Sequence, residues 1–443
     1  MSIEIVAIGG YGEVGKNMTA IKVDDDVVIL DMGLHLPNYI MLTEEEAGET
    51  VLSRKLLIDE KAAPNDNIIK EWRKKVKAIL ISHAHLDHIG AIPYLAPKYE
   101  VPIFCTNFTA EVIKEILKDQ KNNISNDIKK VVFNKIYKLS EKIKVQFFHI
   151  THSTPHSSFV ALHTPYGVIL YTNDFKLDNN PIMEEKPDYA TIEKLGNIKL
   201  LILDSLYGNF QRKTPSESVA REMLKDILLG SNHKGKSIII STFSSHIARL
   251  RSIIDFGTRM NRKIIFLGRS LYKYCTAAEN AGIAYFGKEV ELVKYGKQIK
   301  SRLKKLLREG KKNYLLVVTG HQGEPKAVLS KLVDGVLPFK FDADDRVIFS
   351  APVIPAGINQ DHRDIIERKL KQKHVRIFRD VHVSGHGSRE DMHELIDLLK
   401  PEHIIPSHSE EIVIDSFMEL GERLGYKKGK TLHKVLTGQR LKL

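Results

Sequence analysis

Residues 82–90 read Ser82-His83-Ala84-His85-Leu86-Asp87-His88-Ile89-Gly90. Four potential metal ligands fall within six positions, directly after Val76–Ile81 (VKAILI), an apolar run that reads as a buried strand. In an extended loop, side chains two apart share a side, so His83 and His85 point the same way. Asp87 and His88 then begin a helix, expected from near Asp87 through Ala91, and face a second ion. The pattern suits a pair of metals better than one. Further ligands stand where two ions would need them. His152 follows the predicted strand Val145–Ile150, Asp174 follows Val168–Thr172, and His408 follows Ile404–Ile405. A single His past a strand usually serves as a hydrogen-bonded surface or core residue. Several past different strands can gather at one end of a sheet. Asp174 suits a bridging position, because a carboxylate can give one oxygen to each ion. The set contains no Cys, so it is hard to borderline and points to Zn²⁺ or Mn²⁺.

On either side of this stretch the chain reads as an α/β protein. Short apolar runs at β spacing open it: Ile3–Ile8, Ala20–Val23 and Val27–Leu30. Another predicted strand is Leu200–Leu203. From about Gly208, helices alternate with buried strands: Ser218–Leu229, Ser237–Ile240, Ile247–Arg259, Lys263–Leu267, Leu315–Val318 and Arg346–Phe349. That alternation is the mark of a parallel α/β sheet. Val375–Phe378 and helices at Arg389–Leu399 and Glu411–Leu424 complete the chain. The change near 208 comes with no linker, so one domain is inserted within another. The expected division is 1–207, 208–372 (inserted) and 373–443.

At 443 residues the chain is about three times a typical domain. Its 42% hydrophobic and 28% charged residues exclude a disordered, collagen-like or disulfide-scaffold protein. The segment after Met1 lacks the basic start, apolar run and cleavage site of a signal peptide. No stretch approaches the ~18 apolar residues of a spanning helix. Cys105 and Cys275 show no paired spacing, so a reducing, cytoplasmic setting is expected.

Gly10-Tyr11-Gly12-Glu13-Val14-Gly15 fits a dinucleotide-binding pattern, and with Lys16-Asn17 nearly fits a phosphate-binding loop. Both need a following helix to hold phosphate. Here a β-hairpin around Asp24–Asp26 is expected instead, and Asn17 lacks the hydroxyl that would hold Mg²⁺. A Gly-rich turn between strands is the better reading, with a backbone loop near the active site left open.

Lys+Arg number 67 and Asp+Glu 55, for a net charge of +12. Lys294 to Lys312 (KYGKQIKSRLKKLLREGKK) carries nine Lys/Arg and one Glu, so the remainder is close to neutral. It reads as an amphipathic helix with Ile299, Leu303, Leu306 and Leu307 on one face. Alone, such a run is first a solvated helix face. Beside a two-metal site it reads as a phosphate-backbone contact.

With these residues in place, His83-x-His85-x-Asp87-His88 and the later His152, Asp174 and His408 resemble the metallo-β-lactamase fold. Asp204-Ser205 at a strand end, His386 in His382-Val383-Ser384-Gly385-His386-Gly387-Ser388 and His408 in Pro406-Ser407-His408-Ser409-Glu410 are similar to the three further motifs of the β-CASP nucleases. Asp31-Met32-Gly33-Leu34 and Gln322-Gly323-Glu324-Pro325 narrow the resemblance to the ribonuclease J family, archaeal type. It spans nearly the whole chain. Departures are His156 where bacterial relatives usually carry an acidic residue, Asn173 where they usually carry Gly, and an end at Leu443 without their extra C-terminal domain.

The resemblance implies an αββα sandwich with an inserted parallel α/β β-CASP domain. It implies that His83, His85 and His152 hold one divalent ion, that Asp87, His88 and His408 hold the other, and that Asp174 bridges. Asp31 would orient a ligand. Two ions about 3.5–4 Å apart can activate water and clamp the scissile phosphate during in-line attack. His386 would protonate the leaving 3′ oxygen or stabilise phosphate charge, oriented by Asp204. The implied activity is a 5′→3′ exoribonuclease favouring 5′-monophosphate ends of single-stranded RNA. A homodimer is expected, and no membrane partner. The inserted domain would close over the site and form an RNA channel. Candidates for the 5′-phosphate pocket are Ser241, Ser244, Ser245, His246, Gly268-Arg269 and Ser350, all at or past strand ends. A cap or turn role suits each of them equally. His382–His386 would contact the nucleotide near the cut, and Phe243, Tyr272 and Tyr274 are candidates to stack bases.

Three other readings compete. An endonuclease of the same superfamily would act on RNA or DNA. A hydrolase of small thioesters or lactams would have no use for the inserted domain or the basic segment. An RNA-binding pseudoenzyme would not need its full set of ligands.

Overall fold

The computed structural model describes residues 2–45, 52–120, 122–354 and 357–443. Alternating residues at the start of the chain build antiparallel strands. Ile3–Gly9 pairs with Met18–Val23, which pairs with Asp26–Leu30, so that Ile5 faces Ile21 and Ile21 faces Val28. Val76–Leu80, Ile103–Cys105 and Ile128–Lys130 extend this sheet in parallel, and Arg440–Lys442 covers its other edge. A second sheet runs in the order His403–Ser407, Ile198–Asp204, Gly167–Tyr171, Ser158–Thr164, Lys144–His149 and Ile136–Lys138.

The period of two along each strand decides how the layers stack. Ile5, Ile21, Val28, Leu30 and Leu80 of the first sheet meet Phe147, Val160, Leu162, Ile169, Ile202 and Ile405 of the second. The intervening residues of the second sheet, Phe148, Ala161, Leu170, Leu201 and Leu203, face the other way. The helices Arg389–Leu399 and Glu411–Arg423 cover them with Met392, Leu395, Ile396, Ile414 and Phe417. On the first sheet, the helix Asn107–Gln120 lies against Ile128–Lys130. The result is the αββα sandwich that the sequence resemblance implies. These elements make one compact unit of Met1–Asn179, Glu184–Thr214 and Ser384–Leu443.

The second unit comprises Asn180–Met183 and Pro215–Val383. Its six strands are all parallel, in the order Glu291–Val293, Lys263–Leu267, Tyr314–Val318, Ile238–Ser241, Arg346–Phe349 and Arg376–Phe378. Ile238, Ile239 and Ile240 are all buried, as expected where helices cover both faces of a parallel sheet. Among the described residues no helix is long and apolar enough to cross a membrane.

The basic segment forms the helix Gly296–Glu309, which buries Ile299, Leu303 and Leu306. Leu307 departs from expectation, because it is 40% exposed. At 3.6 residues per turn it stands about 70° from the centre of the buried stripe. Leu303→Ala is therefore expected to destabilise the protein by about 2–5 kcal/mol. Leu307→Ala should change stability by no more than about 0.5 kcal/mol. Urea denaturation of the two variants checks both.

Candidate metal centre

Each candidate ligand sits where a strand of the first unit gives way to a loop. Val76–Leu80 ends before His83, Lys144–His149 before His152, Gly167–Tyr171 before Asp174, and His403–Ser407 before His408. The short helix Leu86–Ile89 carries Asp87 and His88. The structure brings all seven side chains together. Ligand atoms of His83, His85, His152 and Asp174 lie within 4.8 Å of one another, as do those of Asp87, His88, Asp174 and His408.

Asp174 belongs to both groups, and its two oxygens divide between them. Oδ2 lies 3.5 Å from His83 Nε2 and 3.6 Å from His152 Nε2. Oδ1 lies 3.2 Å from His88 Nε2 and 3.7 Å from His408 Nε2. Asp87 Oδ2 is 3.6 Å from His88 Nε2 and 3.8 Å from His408 Nε2. Within the first group, His85 Nδ1 is 3.1 Å from both His83 Nε2 and His152 Nε2. Asp174 Oδ1 is buried without a hydrogen-bond partner. A buried oxygen in that state is costly unless a cation meets it. The nitrogen and oxygen donors and this orphaned atom together fit divalent metal.

The protons of these imidazoles are held on the far side. As assigned from the hydrogen-bond network, His88 Nδ1 donates to Asp31 Oδ2 at 2.7 Å. His152 Nδ1 donates to the Gly385 carbonyl at 2.7 Å. His408 Nδ1 donates to Asn17 Oδ1 at 2.9 Å. His83 Nδ1 lies 3.1 Å from Ser82 Oγ, whose own proton goes to Asp31 Oδ2 at 2.7 Å. Tyr171 also donates to that oxygen, at 2.9 Å. Each contact places a proton on Nδ1 and turns Nε2 toward the centre, as a metal ligand requires.

Burial pushes the His83 imidazole below its usual range, and those of His85 and His152 well below it. These are the neutral forms that can ligate. Burial acts the same way on His88, but the carboxylates of Asp174, Asp87 and Asp31 outweigh it and raise its affinity for a proton. The same charges favour any cation. Burial works against the Asp174 carboxylate, yet His408, His88, His386 and His83 hold it well below the usual carboxylate range.

His386 stands beside both groups. Its Nδ1 donates to Asp204 Oδ2 at 2.8 Å, and its Nε2 is 3.6 Å from Asp174 Oδ2. Its ring stacks on His408 with centroids 5.5 Å apart. Burial lowers its basicity, but Asp174 and Asp204 raise it further, to about 9. Asp204 is itself fixed by the Leu206 N–H at 2.9 Å.

Sequence reasoning set Asn17 aside, yet the structure places it in the centre. Its Nδ2 donates to the Asp87 carbonyl at 3.1 Å and lies 3.0 Å from His88 Nε2. The signal was the Gly-rich turn. No helix follows it, as expected, since Met18–Val23 is a strand. At Gly10, φ is +86°, and a Cβ there would lie 2.2 Å from Asn17 Oδ1. The Gly10 carbonyl also accepts the His408 N–H at 2.6 Å. Gly385 is a similar case, because a Cβ there would come within 2.9 Å of the His152 ring. Asn173 sits at φ +48°, a conformation that Asn tolerates and Gly adopts freely.

The proposed RNA contacts fall in both units. Ser384, Gly385 and His386 belong to the first, and His382 and Val383 to the second. In the second unit Ser241 and Ser350 end neighbouring strands, and the Ser350 N–H donates to the Ser241 carbonyl at 2.9 Å. Both hydroxyls are engaged within the unit: Ser241 donates to Val318 O at 3.0 Å, and Ser350 donates to Val381 O at 2.8 Å. Ser245 and His246 are buried and Ser244 half-buried. Arg269 is exposed past Lys263–Leu267, two strands from Ser241. Phe243 packs on His321 at 4.3 Å between centroids, Tyr274 is buried, and Tyr272 lies under Lys294.

The family model for the metallo-beta-lactamase superfamily matches residues 11–227. That for the ribonuclease J beta-CASP domain matches 235–368, and that for the Zn-dependent metallo-hydrolase RNA specificity domain matches 374–431. The chain is 42% identical to ribonuclease J of Methanocaldococcus jannaschii, over 99% of this chain and 98% of that protein. It is 41% identical to ribonuclease J of Pyrococcus abyssi, over 97% and 94%. Ribonuclease J2 of Bacillus subtilis is 31% identical over 96% of this chain and 73% of that protein. A solved protein of unknown function from Enterococcus faecalis shares the fold, with a TM-score of 0.66 at 16% identity and full coverage of both chains.

The network around Asn17 makes a direct prediction. Asn17→Ala removes the acceptor of His408 Nδ1–H. It should weaken metal binding at the His88–His408 group by about 10–100-fold and leave the His83 group unchanged. Competition with a chelating dye measures both affinities, and equal loss at both groups would contradict this reading.

Proposed function

The chain belongs to the ribonuclease J family, and from that premise we propose that it is a two-metal 5′→3′ exoribonuclease that favours RNA bearing a 5′-monophosphate. It is a metal-dependent ribonuclease of the β-CASP kind. The observation that carries the two-metal part of this reading is the division of the Asp174 oxygens between two groups of imidazoles. His83, His85, His152 and Asp174 would hold one ion, and Asp87, His88, His408 and Asp174 the other, with Zn²⁺ or Mn²⁺ suited to such donors. Bound there, two divalent ions would lower the pKa of water and offset the charge of the scissile phosphate.

The chain's own residues would supply the rest. Asp174 and Asp204 favour the protonated form of His386, whose Nε2 faces the same space as Asp174. His386 would give that proton to the leaving 3′ oxygen. Asp204 keeps Nδ1 engaged, so that the proton to be transferred sits on Nε2. Ser384 and Gly385 would hold the nucleotide beside the cut. The 5′-phosphate would bind near Ser244 and Ser245, past the strand end at Ser241, since the hydroxyls of Ser241 and Ser350 are already engaged. The same reading expects a cytoplasmic homodimer.

Purified protein, RNA labelled at its 3′ end and added Zn²⁺, Mn²⁺ or Mg²⁺ test this. Rapid conversion of the 5′-monophosphate form to mononucleotides, with a circular RNA left intact, is the expected result. Cutting of the circle would show an endonuclease and overturn the exonuclease reading. His386→Ala should lower kcat on the same RNA by about 10²–10⁴-fold, the usual contribution of a positioned acid.

A further inference from the structure

The helix Gly296–Glu309 carries more positive charge than its packing explains. Its buried stripe is Ile299, Leu303 and Leu306. On the opposite face stand Lys297, Lys300, Lys304 and Arg308, all exposed. At 100° and 1.5 Å per residue they form one line about 16 Å long. Like charges three and four residues apart oppose helix formation, so stability does not account for them.

Their neighbours on the same helix are neutralised. Arg302 pairs with Glu291 at 2.7 Å and with Glu309 at 3.2 Å, and Lys305 with Glu309 at 3.8 Å. Just beyond the helix, Lys311 pairs with Asp345 at 2.6 Å and Asp342 at 2.9 Å. Among the described residues, no carboxylate lies within 4.0 Å of Lys297, Lys300, Lys304 or Arg308. The acidic residues of this region cancel one flank and leave the outer line bare. At the head of the line, Lys294 lies 5.1 Å from the ring centroids of both Tyr272 and Tyr295, and Tyr295 is half exposed. Unpaired cations in a row, headed by an exposed aromatic ring, are what binds single-stranded nucleic acid without regard to sequence. An acidic protein surface would match the charge but has no use for a ring at one end.

We propose that Lys297, Lys300, Lys304 and Arg308, with Tyr295 at their head, form an RNA-holding site that contains none of the candidate metal ligands. The choice of RNA as occupant rests on the ribonuclease reading. The site grips the backbone of a long chain by its phosphates, stacks a base on Tyr295, and adds nothing to the chemical step. Long RNAs, which can meet all of its charges at once, therefore gain more affinity from it than short ones.

The test uses the full chain and the variant K297Q/K300Q/K304Q/R308Q, which keeps good helix formers. Binding of a fluorescent single-stranded RNA is followed by anisotropy in a chelator, so that it is read without hydrolysis. The expected result is at least tenfold weaker binding of a long RNA. The slope of log affinity against log salt should also shrink by about 3, near 0.7 for each of four lost phosphate contacts. The matching variant K297R/K300R/K304R keeps the charges and should bind as the unsubstituted protein does. In the metal-loaded protein, kcat on a tetranucleotide should be unchanged while KM for the long RNA rises. Equal affinity and equal salt slope for the Gln variant would overturn the proposal. So would displacement of the long RNA by polyglutamate as effective as that by unlabelled RNA. If neither protein cleaves any RNA, the ribonuclease reading fails by itself, and the anisotropy result still decides whether this line holds RNA.

Discussion

A single buried carboxylate holds the first unit's loops to one purpose. Asp174 presents Oδ2 to His83 and His152 and Oδ1 to His88 and His408. A carboxylate taken out of water without opposite charge beside it is strongly unfavourable. Here imidazoles on both sides favour the charged form, and Oδ1 has no hydrogen bond of its own. The arrangement is stable as a cation site and poorly satisfied as anything else. Four strand ends from two sheets must converge for it to exist, which ties the site to the sandwich core beneath it.

The second requirement is that each imidazole keep its proton away from the centre. Asp31, Asn17, Ser82 and the Gly385 carbonyl do this, and three of these four depend on a positive φ or on a missing side chain. Asp31 and His408 adopt φ of +58° and +57°. Gly10 and Gly385 stand where a side chain would collide with Asn17 or His152. Such strain persists only when the surroundings over-determine it, and it collects at functional sites. His386 is held by the same logic, with Asp204 fixing its Nδ1 proton and Asp174 drawing a second proton to Nε2.

Much of this was legible in the sequence because the signals were local. His83, His85, Asp87 and His88 occupy six positions after an apolar strand, and the other ligands each follow a run such as Val145–Ile150. The continuous apolar strands at Lys263–Leu267 and Arg346–Phe349 announced a parallel sheet for the same reason. Elements without enough residues to show a period were not legible. Ile103–Cys105, Ile128–Lys130 and Ile136–Lys138 are three residues each and take their structure from neighbouring strands. Arg269–Asn280 is a helix whose buried stripe, Leu271, Tyr274, Cys275 and Ala278, has only one large aliphatic residue and so gives a weak apolar signal. Asn17 was passed over because its role depends on His408, almost 400 positions away. Leu307 was read with its neighbours because an apolar residue beside Leu306 says nothing about which way the helix turns it.

The most direct test of the account is a count of metal ions. Native mass spectrometry of the full chain, loaded with Zn²⁺ or Mn²⁺ and exchanged into metal-free buffer, gives the number bound per chain. The bridging geometry of Asp174 predicts two ions in the unsubstituted protein and loss from both groups in Asp174→Asn. A single ion in the unsubstituted protein, or two retained in Asp174→Asn, would contradict it.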